Sequence, residues 1–583
     1  MENKPLLYKL KMIFPRKERR YFILLFFLML LSTLFDFLGV SLILPLVNLL
    51  IHPDSLSRQS WFRLFTAIFP ARDRNNQLLI LVLVIIGVYV VKNLFAIYMA
   101  VVQKVFVMRN QHATSARLLD CYMRKPYTFH LQHNTAEIIR SINVDVSNAY
   151  SLVTCIFKLI TSGLISLLLI IYLIMVDFWL TLSIVVGLGV YSAVYFLMVR
   201  KPMRAAGKAT RRLHMSMLKT IQQAMGGIKE VKLMGRERFF VDSYVSDAAE
   251  YEENYRRYTV LSAVPRHLVE ILCVGGVLGL VAFKIGTRQD LSTIVGSLSA
   301  FAVASIKLLP SANTINSNIN SMSFLMPGLN AICEVIDENW GMNLGAEPLR
   351  GPARQQNSDH ELADIRIEDL SFTYPEMEEP VLKHVALTIR SGTSVGIVGV
   401  TGAGKTTLVD LILGLLEPQE GRICYGGRDI RDSYAQWQSR IGYIPQNIYL
   451  VDESIRANVA LGIYGDEIDD DRVWKALEAA QLADFVRGLK NGLDTVIGER
   501  GVRISGGQRQ RIGIARALYY DPDILFLDEA TSALDSETET AVMESVHRLS
   551  GDKTCIIIAH RLTTIEGCDE IYRVADGRVT REQ

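Results

Sequence analysis

The sequence predicts a multi-domain chain: an all-α membrane domain of six helices followed by a soluble α/β P-loop domain. Three observations carry that prediction. Half of the 583 residues are hydrophobic and only 21% are charged, with a mean hydropathy of +0.22. That is too apolar for a disordered chain and unusual for a soluble enzyme. Six stretches meet the requirement of about 20 mostly apolar residues for crossing a bilayer; all lie before residue 315, and none comparable follows residue 340. Beyond them, an apolar run at 394–398 enters a glycine-rich loop and then an apolar helix at 408–416.

The spans are expected at approximately 21–50, 77–103, 152–175, 178–199, 261–286 and 291–310. They define a membrane domain over 1–340, a linker over 341–361 marked by Pro348, Pro352 and a Gln-Gln-Asn-Ser run, and a soluble domain over 362–583. The first apolar run follows a basic region but has no small-residue cleavage site after a short core, so it reads as a retained helix. Orientation follows from Lys and Arg near the helix ends. The tail with Lys4, Lys9, Lys11, Arg16, Lys17, Arg19 and Arg20 belongs in the cytosol. So does the connection between spans four and five, with eleven basic residues from Arg200 to Arg238. Six spans then leave both termini cytosolic. The connections 104–150 and 200–260 contain few Pro or Gly breakers and are expected to prolong the membrane helices; about 25 extra residues reach roughly 37 Å at 1.5 Å per residue. In the first outer loop, Trp61, Phe62, Leu64, Phe65, Ile68 and Phe69 fit either a short amphipathic surface helix or a loop packing its own aromatics.

The formal charge of +2, from 62 Lys+Arg against 60 Asp+Glu, gives no reason to expect a polyanion-coating protein. The seven cysteines are widely spaced, without a C-x-x-C pair, and read as buried thiols facing a reducing compartment.

In the soluble domain, Gly399-Val400-Thr401-Gly402-Ala403-Gly404-Lys405-Thr406-Thr407 is G-x-x-x-x-G-K-[ST] between strand and helix, the setting that gives the motif meaning. Its glycines let backbone N–H groups turn toward phosphate, the helix N-terminus adds a favourable dipole, Lys405 reaches the β and γ phosphates, and Thr406 can ligate Mg²⁺. A second apolar strand, 524–527, ends in Asp528-Glu529. Asp528 there is suited to holding Mg²⁺ and Glu529 to polarising the attacking water. ATP and Mg²⁺ are the expected nucleotide and metal.

Ile504-Ser505-Gly506-Gly507-Gln508, opening a helix at 509–518, then resembles the signature loop of the ATP-binding-cassette (ABC) family, with Ile in place of the usual Leu. Other parts of the family pattern follow in order. Tyr374 matches the aromatic that stacks on adenine, Gln446 the glutamine that touches Mg²⁺ and water, Asp535 the loop crossing between nucleotide sites, and His560 the histidine at the γ-phosphate. Thr495-Val496-Ile497-Gly498-Glu499-Arg500-Gly501 and 225–232 resemble segments that couple the two domains in exporters. The resemblance implies a type IV half-transporter in which the signature Ser505, Gly506, Gly507 and Gln508 face ATP held by the partner subunit. With no catalytic position degraded, it implies two equivalent hydrolytic sites in a homodimer.

Ionisable residues inside spans are functional candidates by default. Here they are Asp36, Lys92, Lys158, Arg266, Glu270 and Lys307. Lys92, Arg266 and Lys307 lie on three different helices and are candidates to bind a phosphate or pyrophosphate head group in one cavity. The competing readings are local pairing, such as Arg266 with Glu270 at i,i+4, and snorkelling by lysines. The stretches 263–266, 308–313 and 441–450 resemble bacterial ABC flippases of lipid-linked oligosaccharides, whose corresponding cations are arginines; Lys92 and Lys307 keep the charge but not the bidentate fork. The surface helix at 61–69 resembles an external helix of those flippases.

The resulting expectation is a homodimeric ATP-driven exporter or flippase of the bacterial inner membrane. Its expected cargo is a polyprenyl-pyrophosphate-linked oligosaccharide or related glycolipid. A general lipid, drug or peptide exporter is the near alternative, although no protease domain precedes the first span, and an ATP-gated channel or regulator belongs to another class. A cassette ATPase acting on nucleic acid is disfavoured by the six spans, and no nucleic-acid partner is expected.

Overall fold

The computed structural model describes residues 4–42, 74–176, 178–286, 291–338, 362–375, 377–528, 552–559 and 565–582. They group into two units, one drawn from 1–125 and 132–344, the other from 126–131 and 345–583. The outer-loop segment 61–69 and the linker 341–361 lie outside the described residues.

Up to residue 338 the described chain forms helices and turns: α1 (Leu6–Ile13), α2 (Arg16–Ser41), α3 (Arg74–Met123), α4 (Tyr127–Gln132), α5 (Thr135–Arg140), a π-helical turn (Ser141–Asp145), α6 (Val146–Val176), α7 (Phe178–Gly226), α8 (Ile228–Met234), α9 (Glu237–Gly286) and α10 (Leu291–Glu338). Among the described residues, six segments are long and apolar enough to cross a membrane. The expected sixth span, 291–310, forms the first part of α10, which continues to Glu338. Helices α3, α7 and α9 contain 50, 49 and 50 residues. Each therefore spans about 75 Å, more than twice the ~30 Å hydrocarbon thickness.

Local chemistry sets the breaks. Helix α3 ends just ahead of Pro126, which disfavours helical geometry in the residue before it. Asn134 caps α5 by accepting from the Ala136 N–H, and α8 stops at Gly235 in the left-handed conformation.

One apolar cluster ties α1, α2, α3, α6 and α10 together through Ile13, Met29, Phe106, Phe157 and Ile332, with Phe14 just past α1 among them. Phe14 stacks on Phe106 at 5.7 Å and meets Tyr150 edge-on at 5.8 Å. Helices α7 and α10 cross so closely that a Cβ on Gly207 would lie 2.1 Å from the Phe324 carbonyl oxygen. Beside this crossing sits a buried charge cluster. Asp145, 0% exposed, accepts from Arg211 Nε at 3.1 and 3.2 Å, and Arg140 Nη2 lies 3.6 Å away. Arg140 also donates to the Arg211 carbonyl oxygen at 3.3 Å, so the group joins the α5–α6 turn to α7.

The second unit contains β1 (Ile365–Phe372), β2 (Leu382–Ile389), β3 (Ser394–Val398), α11 (Lys405–Ile412), β4 (Glu420–Tyr425), β5 (Arg428–Asp429), β6 (Ile441–Ile444), α12 (Asp470–Ala479), α13 (Gly506–Tyr519), β7 (Ile524–Asp528), β8 (Thr554–Ile558), β9 (Glu570–Ala575) and β10 (Arg578–Arg581). Two sheets form, in the orders β2-β1-β4-β5 and β10-β9-β3-β8-β7-β6. The first is antiparallel, a subdivision the motif reading did not resolve. In the second, β9, β3, β8, β7 and β6 run parallel. Strands β3 and β8 are buried at every position, as expected of central parallel strands covered on both faces. The parallel arrangement brings the ends of β3, β7 and β6 to one edge, where the loops carrying the motifs emerge.

Candidate functional site

The glycine-rich loop joins β3 to α11. A Cβ on Gly399 would lie 2.3 Å from the Val574 carbonyl oxygen, and Gly404, the residue capping α11, has φ +102°. Both positions demand glycine, the first for close approach and the second for backbone conformation. Lys405 is buried and folds over the loop, donating to the carbonyl oxygens of Gly399 at 2.7 Å and Val400 at 3.1 Å. Its ammonium therefore lies within the cradle for phosphate. Thr401, Gly402 and Thr406 are exposed, Ala403 is half-buried, and Thr407 is buried. The Tyr374 hydroxyl lies 3.2 Å from that of Thr407, and its ring stands edge-on to Phe372. The expected adenine platform is thus anchored beside the phosphate loop.

Asp528 ends β7, two strands from β3. Tyr443 on β6 donates its hydroxyl to Asp528 Oδ2 at 3.3 Å. Asp410, one turn along α11 from Thr406, has its carboxyl pushed up to about 6, first by burial and then by the charge of Asp528. The Tyr443 phenol is raised by burial and by the same two carboxylates. Gln446 follows the end of β6 and is exposed at the same edge. The hard oxygen donors of Thr406, Asp528 and Gln446 suit Mg²⁺.

The signature residues begin α13. Ser505 and Gln508 form a reciprocal capping box: the Ser505 hydroxyl accepts from the Gln508 N–H at 3.2 Å, and Gln508 Oε1 accepts from the Ser505 N–H at 2.9 Å. In the box both side chains accept, so the Ser505 O–H stays available as a donor beside the first-turn N–H groups of Gly506 and Gly507, all suited to an anion.

Glu529, Asp535 and His560 lie outside the described residues, as does the side chain of Lys307. Of the intramembrane cations, Lys92 is only 6% exposed. Its Nζ lies 3.2 Å from Asp36 Oδ1 and 4.5 Å from the centroid of the Tyr89 ring. Gly39 makes room for it, since a Cβ there would come within 3.2 Å of Lys92 Cδ. The structure therefore pairs Lys92 with an acid, an arrangement the sequence offered only as a general alternative. Arg266, Glu270 and Lys158 are exposed on their helices.

Tyr443, Asp410 and the Asp36 partnership went unnoticed in the motifs. Asp410 was visible as a lone acid in the apolar helix 408–416, and Tyr443 as the half-buried alternate of Gly442 and Ile444.

Two protein-family models match the chain, one described as ABC transporter over residues 382–532 and one as ABC transporter transmembrane region over residues 22–265. The chain is 31% identical over 468 residues to the ATP-dependent lipid A-core flippase of Cupriavidus pinatubonensis, covering 79% of this chain and 77% of that relative. It is 32% identical over 474 residues to the protein of the same name from Cupriavidus metallidurans, covering 80% and 77%. A solved bacterial Atm1-family ABC exporter with ATP bound shares the fold at a TM-score of 0.75, covering 97% of this chain and 94% of that one at 23% identity.

Proposed function

The chain belongs to the ABC transporter family and joins a six-span exporter domain to an ATP-hydrolysing domain, and on that premise we propose that it exports or flips a lipid-linked substrate across the bacterial inner membrane as a homodimer with cytosolic termini. The favoured cargo is a polyprenyl-pyrophosphate-linked oligosaccharide or related glycolipid. The observation that carries the lipid-export part of this reading, and not the choice of saccharide carrier, is the likeness to relatives named as lipid A-core flippases: an alignment of 468 residues is far longer than the ATP-binding domain alone, so it includes much of the membrane domain. Of the intramembrane cations, Arg266 and Lys307 remain the candidates for an anionic head group, whereas Lys92 is held by Asp36 and would have to leave that partner to bind one.

Each ATP is held by the phosphate loop 399–407, with Tyr374 against its base and Lys405 exchanging loop carbonyls for phosphate oxygens. Thr406, Asp528 and Gln446 would hold Mg²⁺, which when bound would neutralise phosphate charge. Glu529 orients and deprotonates the attacking water, while His560 steadies the γ-phosphate. Ser505, Gly506, Gly507 and Gln508 of one protomer close over the ATP of its partner, beside the loop at Asp535. Closure is transmitted through the long helices α3, α7 and α9, switching the access of the membrane domain, and hydrolysis resets it.

The test is ATP turnover in nanodiscs against polyprenyl-pyrophosphate saccharides, lipid A-type phosphoglycolipids, peptides and drugs. The reading expects stimulation by the lipid-linked saccharides. Stimulation by peptides or drugs without any response to either lipid class would refute it.

A further inference from the structure

We propose that Tyr443 is a positioning residue for the metal-binding carboxylate, using its hydroxyl to hold Asp528 Oδ2 so that the other oxygen is presented to Mg²⁺. The inference rests on the ATP-hydrolysing site and not on the cargo. The sheet dictates the placement. Strands β6 and β7 are parallel neighbours, with Tyr443 opposite Phe526 and Ile444 opposite Leu527. Successive strand residues face opposite sides. A Cβ on Gly442 would lie 3.0 Å from the Ala517 carbonyl oxygen, so Gly442 faces α13. Tyr443 consequently faces the other side and packs with the cluster containing Leu408, Val409 and Ile412 of α11. From there its hydroxyl reaches Asp528 Oδ2 at 3.3 Å.

A hydroxyl donor has a specific task at this position. The side chain of Asp528 ends a strand, and rotation about its own bonds would turn a ligating oxygen away from the phosphate loop. A hydrogen bond donated to one oxygen fixes the rotamer, as partners of metal ligands commonly do.

Tyr443→Phe removes the hydroxyl and keeps the ring. The experiment titrates Mn²⁺ into the full-length protein bound to the non-hydrolysable analogue AMP-PNP, reading free Mn²⁺ by electron paramagnetic resonance. A parallel titration measures AMP-PNP binding in EDTA. The proposal expects Mn²⁺ affinity to fall about 10-fold, the lower end of the range for partners of metal ligands, while metal-free nucleotide binding stays at the native value. Unchanged Mn²⁺ affinity would overturn it. Equal loss of metal-free nucleotide binding would also overturn it, because the hydroxyl would then serve the fold of the site.

Discussion

Asp145→Ala probes the joint between the α5–α6 turn and α7. The native carboxylate is 0% exposed and lies 3.1 Å from Arg211 and 3.6 Å from Arg140, itself 2% exposed. Removing one partner of a buried ion pair costs about 3–5 kcal/mol, because the other charge stays buried without compensation. Two features favour the low end. Arg211 is 31% exposed and can turn toward water, and Arg140 keeps Glu137 at 3.8 Å. The expected destabilisation is therefore about 3 kcal/mol, and a domain of about 340 residues should melt roughly 4 °C lower. All seven cysteines are free and buried, so a thiol-reactive fluorogenic dye reports unfolding directly. The neighbouring pair supplies the control. Arg212 and Glu250 lie 3.2 Å apart but are 69% and 54% exposed, and exposed pairs contribute about 0–1 kcal/mol, so Glu250→Ala should leave the melting temperature almost unmoved. An Asp145→Ala protein melting within a degree of native, or equal shifts for the two variants, would refute the assignment of Asp145 as a structural counter-ion.

Gly207→Ala is expected to force α7 from α10, since its Cβ would meet backbone at 2.1 Å; a loss of about 1–3 kcal/mol should appear as lowered thermal stability in the same dye assay. Asp36→Ala should destabilise more than Lys92→Met, because it leaves a buried ammonium unpaired, and adding Lys92→Met to Asp36→Ala should recover most of the loss. For the nucleotide-free protein, the Asp410 carboxyl titrates near 6 in the fold against 3.8 ordinarily. The folded state therefore binds the extra proton between those values, and this contribution to stability falls as pH rises through that window. Asp410→Asn should raise stability at pH 7.5 by about 1–3 kcal/mol and flatten the dependence between pH 4 and 6, measured by melting temperature across pH.

The sequence was most legible where one physical requirement acts locally. Apolar length marked the spans, and the run 394–398 followed by Gly399 to Thr407 marked the phosphate loop, because glycine at Gly399 and Gly404 answers a steric and a conformational demand readable from spacing. Long breaker-poor connections likewise announced helices that outrun the membrane. Partnerships across the fold were hidden. Lys92 read as an anion-binding candidate because its pairing with Asp36 depends on how α2 packs against α3, 56 positions away in the chain. Asp145 and Arg211 lie in separate polar stretches whose meeting depends on the packing of the α5–α6 turn against α7. Tyr443 was obscured for the same reason: its role requires β6 and β7 to be neighbours, and their sequence separation gives no sign of that. Ser505 and Gln508 carried two meanings at once, since the signature segment is also a helix capping box.

The central claim is that ATP hydrolysis at this phosphate loop moves a lipid-linked saccharide between leaflets. It is tested most directly in proteoliposomes containing a fluorescent polyprenyl-pyrophosphate saccharide, or in a second arm a fluorescent lipid A-type phosphoglycolipid, with leaflet position read by chemical quenching. The account expects ATP-dependent movement by the native protein and none by Lys405→Ala, which lacks the ammonium of the phosphate cradle. Full ATP turnover by the native protein with neither lipid changing leaflet would contradict it.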